Sequence, residues 1–177
     1  MREGYDQLTD GRFEEAVATF SAAIAQEPRQ AKALRGRGLA YAELKQWSLA
    51  TADFAAARDA DPDDAENWVD LGISLARDHQ VYPAIAVFEE LIAQHATHVR
   101  GLTELGFLYI RVGAISKGRE FLEGALRCKP TLIERRRIEA ALGEQDKLDR
   151  KRFYRPDFDA LRKQRRSARS GGVTPKS

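Results

Sequence analysis

Apolar residues between positions 31 and 62 return at three-to-four spacing in two runs. Leu34, Gly38 and Tyr41 fall on one helical stripe, and Trp47, Ala50, Phe54 and Ala57 fall on another, with Lys45-Gln46 interrupting between them. Such spacing predicts two amphipathic α-helices joined by a short turn. Asp61-Pro62 ends the second helix, because the residue before a proline avoids the α region. A glycine inside a helix costs about 1 kcal/mol relative to alanine, so close packing is expected to offset that cost at Gly38.

Displacing the sequence by 34 residues aligns Gly4, Gly38, Gly72 and Gly106. The same shift aligns Ala16, Ala50, Ala84 and Gly118; Phe20, Phe54, Phe88 and Leu122; Ala23, Ala57, Leu91 and Ala125; and Pro28, Pro62, Ala96 and Pro130. Columns of matched size at one spacing mark an internal repeat whose unit is a helix hairpin. Within it, Gly38 and Ala50 are expected to let two backbones approach, with Tyr41 and Phe54 filling the space around the crossing. The third unit departs most, with Leu91 in the alanine column and Ala96 in the proline column. The segment TLIERRRIEAALGEQDKL that follows reads as a polar-faced helix capping the last hairpin.

On Leu34, Gly38, Tyr41, Ala50, Phe54, Ala57 and Pro62 the chain resembles the tetratricopeptide repeat family, over residues 1 to 130. The resemblance implies an all-α, right-handed α-solenoid of about four hairpins plus a C-terminal capping helix, with first helices lining a concave surface. It also implies a role as a scaffold or adaptor for protein partners, among which chaperone-like work is included. Relatives that bind chaperone tails use a dicarboxylate clamp of Lys, Asn and Arg. Here the corresponding positions hold Met1, Tyr5, Gly36, Glu66 and Asp70, or Arg35, Leu39, Asp70, Arg100 and Glu104 when counted from the second repeat. Carboxylates at Glu66, Asp70 or Glu104 would repel such a ligand.

The register places Tyr5, Leu39, Ile73 and Phe107 immediately after the column glycines, and Leu8, Ala42, Ala76 and Ile110 one turn later. Both rows are expected on the concave face, with Lys32, Arg35, Asp70, Arg77, Arg100, Glu104 and Arg111 between them. An apolar track with charged edges suits a partner peptide whose anchors fill the track while the charges orient it. The alternative is that the N-terminal turn, the C-terminal helix or a second copy of the chain covers these rows.

Composition narrows the classes. With 177 residues, 43% of them hydrophobic, the chain can bury a core. Neither a membrane-crossing run nor a secretory leader is visible, so a cytoplasmic location is expected. Residues 1 to 146 carry 18 Lys+Arg against 24 Asp+Glu, and residues 147 to 177 carry 11 against 3, so an acidic repeat domain precedes a basic C-terminal segment. That segment holds Phe153, Tyr154 and Phe158 among its arginines, with a short helix expected at 157–166 and disorder after it. It suits docking onto the acidic domain or a protein partner; the alternatives are a solvated spacer, or stacking on single-stranded nucleic acid or contact with lipid headgroups, and nucleic-acid binding would make the chain a nucleic-acid-associated accessory protein that uses this basic tail.

Signals for chemistry are weak. His95 and His98 lack converging ligands for a metal, and His79 falls in a turn. Gly36 and Gly38 in GRGLAY begin a dinucleotide-binding fingerprint, but Tyr41 replaces its last glycine and no strand precedes it. The lone Cys128 forms neither an internal disulfide nor a multi-cysteine site. No catalytic constellation or cofactor is implied.

Overall fold

A computed structural model describes residues 1–153. Among them are nine α-helices and no strand: α1 (Arg2–Thr9), α2 (Phe13–Gln26), α3 (Ala31–Glu43), α4 (Trp47–Ala60), α5 (Ala65–Arg77), α6 (Val81–Gln94), α7 (Val99–Arg111), α8 (Ile115–Arg127) and α9 (Leu132–Phe153). The expected helix at 157–166 and the disorder after it lie outside the described residues. Residues 1–138 form one compact unit, and the described residues after them, 139–153 of α9, fall outside it. The first unit is an all-α helical repeat in which each helix from α1 to α7 packs on the next, and the first helices of successive hairpins also touch, α1 with α3 and α5 with α7.

The column glycines make room for rings. A Cβ added at Gly4 would stand 2.7 Å from Phe20, at Gly38 2.8 Å from Phe54, and at Gly72 2.5 Å from Phe88. Phe20, Phe54 and Phe88 are buried, as is every member of the Ala16, Ala50, Ala84, Gly118 column. Phe54 fills the space beside Gly38, as the sequence leads one to expect. In the last hairpin, where Leu122 and Gly118 replace the larger residues, backbone also lies close: a Cβ on Gly118 would stand 2.7 Å from the Gly106 oxygen. Gly36 clears the other side of Phe20, at 2.5 Å. Packing thus accounts for both glycines of GRGLAY.

Inside the hairpins, Gly11, Lys45, His79 and Gly113 occupy the same repeat position, and all four have positive φ, between 58° and 86°. The residue after each donates its N–H five residues back, Arg12 to Gln7, Gln46 to Tyr41, Gln80 to Leu75 and Ala114 to Tyr109, at 2.8–2.9 Å. This helix ending satisfies carbonyls that would otherwise lack partners and reverses the chain. Between hairpins, Trp68 Nε1 donates to the Pro62 carbonyl at 2.8 Å and Asn67 Nδ2 to that of Asp61 at 2.9 Å, fixing the turn into α5.

The core lies in the middle of the unit. One cluster joins α4 to α7 around Phe54, Trp68, Phe88 and Leu105, and a smaller one around Ala16 and Phe20 joins α1 to α3. The third hairpin, weakest by sequence, is well packed here. Leu91, larger than the alanines it replaces, is fully buried and sits where a Cβ on Gly101 would lie 2.8 Å away, so a smaller neighbour on α7 compensates. Ile138, fully buried, anchors the first turns of α9 to the same unit.

Candidate functional site

The inner helices α3, α5 and α7 present one row of half-buried apolar side chains: Leu39, Ile73 and Phe107. Two adjoining clefts open along it. The smaller, about 340 Å³, is lined by Leu39, Ala42, Trp47, Asp70, Ile73 and neighbours. The larger, about 680 Å³, is lined by Ile73, Ala76, Phe107 and Leu108 with Arg77, Arg100, Glu104, Arg111 and Arg137. Ile73, Arg77 and Arg100 border both.

At one end of this surface the charges are consumed by one another. Arg35 Nε donates to Asp70 at 2.7 Å, and its Nη2 lies 3.7 Å from Glu66. From the next inner helix, Arg100 meets Glu66 at 2.9 Å and lies 4.0 Å from Asp70. The network therefore ties α3, α5 and α7 together across three repeats. Asp70 is only 7% exposed, and burial pushes its carboxyl above the ordinary value while Arg35 and Arg100 pull against that shift. His98 caps α7: its Nδ1 accepts from the Gly101 N–H at 3.1 Å, while its Nε2 stands 3.7 Å from Glu66. Burial holds this imidazole below its ordinary pKa. Removing a buried carboxylate's cation leaves an uncompensated charge, so the chemistry of this end is cohesive.

The other end is open. Arg137, from the first turns of α9, donates to Glu104 at 2.7 Å and lies over the Phe107 ring at 4.6 Å. Arg111 reaches only the Ala76 carbonyl, at 3.5 Å, and Arg77 has no hydrogen bond or ion pair among the described residues.

Of the positions expected on the concave face, Leu39, Ala42, Ile73, Ala76, Phe107, Asp70, Arg77, Glu104 and Arg111 line the joined clefts. Tyr5 and Arg35 instead line a separate recess of about 260 Å³ beside Lys32 and Asp64. Tyr5 packs edge-on against Phe20 and donates to the Lys32 carbonyl at 2.9 Å. Leu8 packs on the first core cluster. Ile110 turns its Cγ1 toward Gly118, inside the last hairpin. Arg137 was not legible as a groove residue: it belongs to an arginine run, and only the placement of α9 selects it. Among the described residues no group of three or more His, Cys, Asp and Glu is arranged to hold a metal, and no helix is long and apolar enough to cross a membrane.

Residues 1–65 match the profile of the tetratricopeptide repeat. Over these residues the chain is similar to the tetratricopeptide repeat. Solved tetratricopeptide-repeat structures agree in fold. The crystal structure of MamA superposes with a TM-score of 0.72 at 22% identity, covering 96% of this chain and 98% of that one. TTC0263, a thermophilic tetratricopeptide-repeat protein of Thermus thermophilus, superposes at 0.68 with 20% identity over 78% and 77% of the chains. The second such domain of human RPAP3, solved with the HSP70 peptide SGPTIEEVD, superposes at 0.58 with 20% identity over 60% and 89%. At such identities the likeness is one of fold. No curated protein matches the chain in sequence.

Proposed function

We propose that the chain is a non-enzymatic interaction scaffold that holds an extended segment of a protein partner along its concave face. The observation that carries this reading is the continuous half-buried row Leu39, Ile73 and Phe107, which lines two clefts sharing a border at Ile73. Apolar side chains in a concavity, edged by charges, are what an extended peptide needs for anchoring and orientation. The fold supports the reading by analogy alone: RPAP3 domains of the same fold were solved with HSP70 and HSP90 peptides. Those peptides are not the expected ligands here, because Glu66 and Asp70 occupy clamp positions and hold Arg35 and Arg100 in ion pairs.

The test is affinity capture with the intact chain beside Leu39→Glu and Phe107→Glu, each checked for helicity by circular dichroism. Partners retained by the intact chain and lost from both folded variants are expected. Equal retention by all three would place binding elsewhere.

A further inference from the structure

We infer that the larger cleft receives a short acidic peptide of a partner protein, with an apolar side chain seated at Phe107 and Ile73 and carboxylates on either side met by Arg77 and Arg111. The inference rests on the groove reading above and narrows it to the charge of the ligand.

Charge is segregated in this molecule. Residues 1–146 carry an excess of acids, 24 against 18 bases, yet this cleft is bordered by four arginines and a single glutamate. That glutamate, Glu104, is held by Arg137, and Arg100 is held by Glu66. Arg77 and Arg111 are left with capacity, both exposed, one repeat apart, each in the last turn of its inner helix. Cations are favoured at helix C-termini, but that preference does not account for the pair, since the matching residue of α3 is Glu43. A guanidinium with free donors receives a carboxylate through two parallel hydrogen bonds. The cleft floor between them is apolar.

A nucleic acid fits this surface poorly. A continuous row of phosphates would run against Glu66, Asp70 and Glu104 on the same face. Of the two rings that line the cleft, Phe88 is fully buried and Phe107 is half-buried with a guanidinium over one face, so no row of open rings is present for successive bases to stack on. A short peptide that sets a few carboxylates beside Arg77 and Arg111 needs neither a continuous anionic track nor a row of stacking rings.

The experiment pans a randomised peptide library displayed on phage against the full chain, then measures the enriched peptides by fluorescence anisotropy. Expected are peptides with acidic residues flanking an apolar one, weakened at least about tenfold by Arg77→Glu with Arg111→Glu and by raised salt. The double variant should keep the parent's melting temperature. Enriched peptides without acidic bias that still need Phe107 would overturn this inference while the groove reading stands. Peptides indifferent to both Phe107 and the arginines, or no enrichment, would overturn both. The inference is also overturned if a single-stranded oligonucleotide displaces the peptides at lower concentration, or if sedimentation shows that a second copy of the chain occupies the cleft.

Discussion

Arg35 and Arg111 stand on the first helices of two hairpins and meet opposite surroundings. Arg35 lies 2.7 Å from a buried carboxylate and is itself 28% exposed, so it is a bolt between repeats. Arg111 is exposed and reaches one backbone carbonyl at 3.5 Å. The contrast extends to their neighbours: Tyr5 is spent on Phe20 and the Lys32 carbonyl, whereas Ile73 and Phe107 face open cleft. A repeat protein builds both regions from one helix position plan. Whether a charge finds a partner on the adjoining repeat decides if it holds the solenoid together or stays available to a ligand.

Substitutions should separate the two ends. Arg35→Ala is expected to cost about 2 kcal/mol of stability by leaving Asp70 short of its nearest hydrogen-bonded cation, and to leave peptide affinity at the larger cleft within about twofold. Chemical denaturation and anisotropy on the same sample check it; lost affinity with unchanged stability would reverse the assignment. Phe107→Ala should do the opposite, weakening a selected peptide by about 2 kcal/mol, roughly thirtyfold in Kd, with little change in helicity.

The fold was largely legible in the sequence, because a glycine opposite a phenylalanine every 34 residues is a size complementarity that survives without coordinates. The hairpin turns were not. Gly11, Lys45, His79 and Gly113 share a backbone conformation and no side-chain property. Likewise Leu91 looked like a defect until Gly101, on the next helix, supplied the room it needs. For the site, the row Leu39, Ile73 and Phe107 followed from the repeat register. Ile110 did not follow it, since the exchange of alanine for Gly118 drew that side chain inward. Which arginines are paired was unreadable, because Arg35 with Asp70 and Arg137 with Glu104 are contacts across repeats that depend on how helices stack.

Smaller effects refine the contrast. Arg111→Gln alone should change stability by less than about 0.5 kcal/mol while slowing association and flattening its salt dependence, read by stopped-flow mixing. An unaltered salt slope would count against Arg111 as a ligand contact. Acidification through the histidine range should act on the cohesive end. Because burial keeps the folded His98 below its ordinary pKa of 6.5, the unfolded chain binds the proton first. The stability contributed by neutral His98 is therefore present in full above about pH 6.5 and is lost as pH falls through that value toward the lower folded pKa. The loss should not exceed about 1 kcal/mol, the worth of a helix cap. His98→Asn, which keeps a capping acceptor without titrating, should flatten melting temperature between these limits; parallel curves for parent and variant would refute the cap's role.

The central claim, that one end of the concave face is committed to the fold and the other to a partner, is tested most directly by nuclear magnetic resonance. Titrating a selected acidic peptide into the isotopically labelled full chain should shift amides around Ile73, Ala76, Arg77, Phe107 and Arg111 first and furthest, with Tyr5, Lys32 and Arg35 nearly still. Shifts concentrated at Tyr5 to Arg35, or confined to residues beyond 146, would contradict it.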